Sequence, residues 1–98
     1  MRRAARTDSN QTEIVKAFRT MGCSVHCTHM VGDGFTDLVV GFRGRNHLVE
    51  VKDGAKAPSQ RKLTQDEAKF HREWRGRCDI VETINEVIAL VNRWSLGV

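Results

Sequence analysis

The chain has 98 residues, room for one small domain. Hydrophobic residues make up 40% of it and charged residues 29%, which excludes a chain too polar to form a core. No run approaches the roughly 18 apolar residues that a membrane span needs.

Sixteen Lys and Arg against twelve Asp and Glu leave a formal charge of +4, which permits phosphate binding without requiring it. The basic start, Met1 to Arg6, has no apolar run behind it and does not read as a secretory signal. A single proline, no low-complexity tract and no repeat period exclude linkers, collagen-like segments and solenoids. Three cysteines cannot all pair within one chain, so free thiols in a reducing cytosol are expected. A chain this short buries roughly two-thirds of its unfolded surface, so a partner copy would add stability.

The first eight or so residues read as a loose basic arm carrying Arg2, Arg3 and Arg6. Ile14, Ala17, Phe18 and Met21 then recur at helical spacing, and Gly22 stands where helices commonly stop. Ser24 to Val31 is rich in β-branched residues and is expected to be a strand, with Gly32-Asp33-Gly34 as a turn. Thr36 to Phe42 is a nearly continuous apolar run, the mark of a strand covered on both faces. Gly44-Arg45-Asn46 reads as a hairpin turn and His47 to Lys52 as the returning strand. Asp53 to Lys62 is a polar loop around Pro58. Thr64-Gln65-Asp66-Glu67 has the capping-box pattern and opens a second helix, with Phe70 and Trp74 on one face and Gly76 as its stop. Asp79 to Glu82 is a short buried strand. Thr83 to Glu86 repeats the capping pattern, and Ile84, Val87, Ile88, Val91 and Trp94 make the apolar face of a last helix. The order α-β-β-β-α-β-α predicts an α/β fold, a hairpin-rich sheet covered by helices.

Three residues carry chemistry in this frame. Glu50 and Lys52 lie two apart on one strand and project from the same face, roughly 7 Å apart, while Val49 and Val51 point into a core. Asp37 begins the neighbouring hairpin strand, and counting outward from the turn brings it close to Glu50 or Lys52. Two converging carboxylates make an oxygen-rich site suited to Mg²⁺, which keeps several of its waters. A lysine beside them can hold an attacking water or stabilise charge on a phosphate. Those are the parts needed for metal-assisted hydrolysis of a phosphodiester.

Gly34-Phe35-Thr36-Asp37, twelve residues, then Glu50-Val51-Lys52 resembles the motif of the PD-(D/E)xK nuclease superfamily, in particular its small stand-alone VRR-NUC type, often phage-encoded and related to Holliday-junction resolvases. The resemblance runs from about Glu13 to about Val81. It implies a restriction-endonuclease-like core with a mixed central sheet flanked by helices, in one nuclease domain spanning 1–98. It also implies an Mg²⁺- or Mn²⁺-dependent endonuclease, often a homodimer, acting on branched or duplex DNA in the cytoplasm of a bacterium or phage-infected cell. By resemblance Asp37 and Glu50 are metal ligands, the carbonyl of Val51 completes the shell, and Lys52 is the motif lysine. Glu13 matches the acid supplied by the first helix. Leu63-Thr64-x-x-Glu67-x-x-Phe70-His71 is similar to a segment that follows the motif in this group, with Glu67 where Gln is common. Thr36 replaces the motif's proline, which binds nothing.

Several residues have two readings. Glu13 is an active-site acid or, in Asn10-Gln11-Thr12-Glu13, a helix cap. Glu67 is a cap or a site residue, and His71 sits near the site or merely near a phosphate. Arg3 and Arg6 belong to a solvated tail or track the DNA backbone. Lys56, Arg61 and Lys62, in the loop after the motif, are the better candidates for phosphate contact. Cys23, His26, Cys27 and His29 match no usual zinc spacing and cannot converge from one strand, so they read as ordinary strand positions. Trp74 and Trp94 suit a core or a dimer interface. Two rival functions stay open: a nucleic-acid-binding module of the same fold without catalysis, and an interaction protein using the Ile84–Trp94 helix.

Overall fold

A computed structural model describes residues 8–97, so the arm with Arg2, Arg3 and Arg6 lies outside the described residues. The elements are α1 (Gln11–Thr20), β1 (Ser24–Cys27), β2 (Leu38–Phe42), β3 (Arg45–Val51), a 3₁₀ turn (Pro58–Gln60), α2 (Gln65–Glu73), β4 (Cys78–Val81) and α3 (Ile84–Ser95). The strands form one mixed sheet in the order β1-β2-β3-β4. The first three are antiparallel neighbours, and β4 returns parallel to β3 after a crossover containing α2. This is the expected architecture.

Alternation along the strands divides the sheet into two faces. Leu38, Val40, Val49, Val51 and Val81 point to one face and are fully buried there with Ile14 and Phe18 of α1 and Val87, Leu90 and Val91 of α3. Trp94 closes this core at one end, stacked between Phe18 at 5.9 Å and His47 at 3.7 Å. The other face carries Glu50, and α2 lies over it.

β2 and β3 begin at Leu38 and Arg45 instead of Thr36 and His47, and β4 is Cys78–Val81 with Ile80 exposed, not the buried Asp79–Glu82 strand expected, because it is the sheet's edge. Three other boundaries differ as well. β1 stops at Cys27 instead of running to Val31. Thr28 turns the chain there, its N–H donating to the Asp37 carbonyl at 2.7 Å and its hydroxyl to the Thr36 carbonyl at 2.8 Å. Met30 and Val31 are left exposed in the loop that follows.

The hairpin turn is Arg43-Gly44, one residue earlier than expected, with φ of 49° and 79°. Two positive-φ central residues make a type I′ turn, whose twist matches the flanking strands. That turn pairs Phe42 with Arg45 and Leu38 with Val49.

α2 ends at Glu73, not at Gly76. Trp74 leaves the helix in an extended conformation and stacks on Phe70 at 5.1 Å, over Gly76, where a β-carbon would strike its indole.

Candidate active site

The β2–β3 ladder sets the geometry. With Leu38 opposite Val49, one further step brings Asp37 opposite Glu50. The Val51 N–H donates to Asp37 Oδ2 at 2.8 Å, which fixes that carboxylate against the strand end. Lys52 follows on the same face as Glu50, its backbone N–H continuing the parallel ladder to the Val81 carbonyl at 3.0 Å.

α2 completes the cluster. Thr64 and Glu67 form the predicted capping box: Thr64 Oγ1 accepts from the Glu67 N–H at 3.2 Å and Glu67 Oε1 from the Thr64 N–H at 2.8 Å. The same Oε1 accepts from Lys52 Nζ at 2.7 Å, and Glu50 Oε2 lies 4.0 Å from that ammonium. Both readings of Glu67 therefore hold at once, since the cap orients the carboxylate that grips Lys52. The helix can come this close because Gly34 packs on its first turn. A β-carbon at Gly34 would overlap the Asp66 carbonyl, and its φ of 77° is in the region glycine favours. Phe35 against Phe70, edge-on at 5.3 Å, pins the same approach.

Glu50 is 1% exposed and its Oε1 has no hydrogen-bond partner among the described residues. Burial first, then the carboxylates of Asp37 and Glu67, push its pKa up to about 11. Burial alone would pull the Lys52 ammonium down, but the Glu67 hydrogen bond and the charges of Glu67, Glu50 and Asp8 raise it above its ordinary value. Burial opposes ionisation of Glu67, yet the hydrogen bonds from Lys52 and Thr64 outweigh it and hold this carboxyl below its usual range. His71, one turn further along α2, faces the same group. Burial lowers its pKa, with Lys52 adding to the effect against the charges of Glu67 and Asp79, and its Nε2 is buried without a partner.

This donor set suits a small hard cation. Among the described residues no group of three His, Cys, Asp or Glu side chains is arranged to enclose a metal. Mg²⁺, however, is usually held by one or two carboxylates together with waters. The orphaned Glu50 oxygen and the carboxylate crowding at Asp37 and Glu50 are the features such an ion would relieve. Asp37, Glu50 and the Val51 backbone fit it.

Other sequence-selected residues lie outside this donor set. Glu13 is exposed on α1 and lines a cleft with Ser9, Asn10, Asp53 and Glu82, beside the strand end that carries Lys52. It is not part of a cap. The Asn10 side chain makes no capping bond; its Nδ2 donates to the carbonyls of Lys52 at 3.0 Å and Glu82 at 3.1 Å. Asn10 thus clamps the start of α1 onto the ends of β3 and β4, a role that local spacing does not signal. Gln11, about 200° around the helix from Glu13, is the inward polar residue, 6% exposed with Oε1 unpartnered.

Lys56 faces Asp8 at 3.5 Å and Arg61 faces Glu82 at 3.1 Å, so two of the loop's three cations are already paired, while Lys62 is exposed. Asp53, unremarked in the sequence, latches the loop by accepting from the Ser9 hydroxyl at 2.7 Å and the Ala55 N–H at 2.9 Å, contacts that lower its pKa.

A mixed sheet with α1 and α3 on one face, α2 on the other and a buried acid and lysine at the end of its third strand defines a nuclease-like fold. A solved structure described as a VRR_NUC domain is similar to this chain, with 26% identity and a TM-score of 0.58, covering 86% of this chain and 91% of that one. The fold is that of the VRR-NUC, PD-(D/E)xK nuclease-like type. No family model and no curated protein matches the sequence.

Proposed function

We propose that residues 1–98 form one metal-dependent endonuclease domain that hydrolyses DNA phosphodiester bonds, with branched or duplex DNA as substrate and two copies acting together in the cytoplasm. The observation that carries this reading is the cluster on the α2 side of the sheet. There a fully buried Glu50 with an unpartnered oxygen sits between Asp37 and a lysine held by Glu67. A strand face serving only stability would be apolar at those positions, because burying ionisable groups is costly.

Asp37, Glu50 and the Val51 carbonyl would hold Mg²⁺ or Mn²⁺. When bound, such an ion neutralises phosphate charge and makes a bound water more acidic. Lys52, held by the Glu67 carboxylate at 2.7 Å, positions or deprotonates the attacking water and stabilises charge on the phosphate. Glu67 positions Lys52, and His71 lies at the edge of the site. Attack forms the new P–O bond as the bond to the 3′ oxygen breaks, leaving a 5′-phosphate and a 3′-hydroxyl. Lys62 is free to meet phosphate at the mouth of the site. Lys56 and Arg61 would exchange their carboxylate partners for it, and Arg3 and Arg6 would track the backbone.

The test is incubation with Mg²⁺ and four-way, flap, single-stranded and plain duplex DNA, with the products sized. Cleavage is expected with Mg²⁺ and not with EDTA. DNA binding without cleavage under any divalent cation would leave a binding module of the same fold.

A further inference from the structure

The hairpin end of the sheet holds a second cluster of charge, remote from the carboxylates. Arg43 and Arg45 flank Gly44 in the turn, and Arg77 precedes β4, whose first residue pairs with Leu48 of β3. The three line one open cleft of about 570 Å³ with the stacked rings of His47 and Trp94. All three arginines are exposed, and none is held in an ion pair among the described residues, unlike Lys56 and Arg61 near the other end.

Two further features point to an anionic ligand. Trp94 is 7% exposed, and its indole N–H, a donor only, finds no acceptor. Arg43 occupies a left-handed position, φ 49°, where a type I′ turn prefers Asn, Asp or Gly. A guanidinium is thus kept where local preference disfavours it, its carbon 5.0 Å above the Phe42 ring. His47 reports the surrounding field. Burial lowers its pKa, and Arg77 and Arg45 add to that against Asp79, the carboxylate facing the ring from β4. The three guanidiniums outnumber that acid.

We propose that this cleft is a second nucleic-acid contact, in which Arg43, Arg45 and Arg77 hold backbone phosphates of the DNA cut at the other end of β3. The identity of the polyanion rests on the endonuclease reading. Arg45 and Glu50 are five residues apart on β3, roughly 17 Å at about 3.3 Å per residue, and the odd offset turns their side chains to opposite faces, so the path between them runs round the β4 edge and is longer. A DNA strand rising about 3.4 Å per nucleotide covers it in more than about five nucleotides.

The test is equilibrium binding of fluorescein-labelled duplex and four-way DNA in EDTA, over a salt series, for wild type, Arg43→Asn, and the triple variant Arg43→Asn/Arg45→Gln/Arg77→Gln. The triple variant is expected to lose at least about tenfold in affinity at low salt, with a slope of log K against log[salt] shallower by about 0.9 for each phosphate that is no longer neutralised. Arg43→Asn should lose part of both while its Tm stays level or rises, because Asn suits the turn. Unchanged affinity and slope in the triple variant would overturn the proposal, as would an Arg43→Asn variant that loses affinity only in step with a fall in Tm. Wild type that binds with the expected slope, weakened in the triple variant, but does not cut sinks the endonuclease reading and leaves the cleft standing. Wild type that cuts, beside a triple variant that binds equally well, sinks the cleft alone. Wild type that binds no DNA sinks both.

Discussion

The helices on the two faces of this sheet are held by different means. α1 and α3 are seated by apolar area, with Ile14, Phe18, Val87, Leu90 and Val91 almost wholly buried against the strands. α2 buries no residue. It is held by its capping box, the Phe35–Phe70 contact, the close approach of Gly34 and the Lys52–Glu67 pair. A layer held by few contacts opens at lower free energy than one seated in the core. Strand β3 serves both layers at once: Val49 and Val51 are 0% exposed on one face and Glu50 is 1% exposed on the other. Equal burial thus supplies stability on one side and holds an ionisable group on the other.

The sharpest break in this division is Lys52→Ala. Cleavage should fall by about 10²–10⁴-fold, and the Tm should fall too, because Lys52 is buried and pairs with Glu67 of α2, while the apolar layer on the other face stays folded. Initial-rate assays beside thermal melts measure both, and a variant cutting at the wild-type rate would remove Lys52 from the mechanism. On the opposite face, Phe18→Ala should lose about 3–5 kcal/mol in urea unfolding. Phe70→Ala should lose about 1 kcal/mol yet impair cleavage. Equal losses in stability would mean that the two layers are not held differently.

The pH dependence sharpens the contrast further. The folded pKa of Glu50, about 11, lies above its ordinary 4.5, so the folded state binds more protons than the unfolded chain between those limits. The Glu50 contribution to the stability of the metal-free protein should therefore be fully present below the ordinary value and be lost as pH rises, by up to about 1.4 kcal/mol per pH unit. Glu67, with a lowered pKa, contributes stability above its ordinary value that is lost as pH falls toward its folded one. Lys52, with a raised pKa, loses its contribution only at strongly alkaline pH. Around neutrality the Glu50 slope is opposed by His47 and His71, whose lowered pKa values cost stability as pH falls below the ordinary histidine value. Glu50→Gln keeps the shape without the charge and should flatten the slope in EDTA; a difference from wild type that stays constant with pH would mean Glu50 is ionised in the fold. The smallest effect belongs to Thr64→Ala, which removes one half of the capping box at about 1 kcal/mol. Hydrogen exchange should quicken in α2 and not in α1 or α3.

The helices were legible because caps and 3.6-residue periodicity are local, as at Thr64–Glu67 and at Val87, Val91 and Trp94; Ile84 and Ile88, expected on the same face of α3, are exposed, and Leu90 is buried instead. The meeting of Asp37 with Glu50 was also within reach, since a hairpin converts residue counts into neighbours. The one-residue shift of the turn escaped because Arg43 takes a left-handed conformation that its residue type disfavours. Chemical type favours Glu13 over Gln11 as a site residue, whereas burial is decided by helix phase, and α1 turns Gln11 inward. The unpaired arginines of the hairpin end gave no signal in the sequence, because Arg77 joins Arg43 and Arg45 only when β4 returns beside β3.

By itself the sequence determined the order of elements, the apolar stripe of α1 and the placement of Asp37, Glu50 and Lys52 on neighbouring strand ends. All of these follow from interactions a few residues apart or across one tight turn. The tertiary structure alone decided that Glu67 grips Lys52, that Asn10 ties α1 to the ends of β3 and β4, and that Glu50 lies fully buried. Those contacts join parts of the chain brought together only when the helical layers close on the sheet, and burial of a charge depends on that closure.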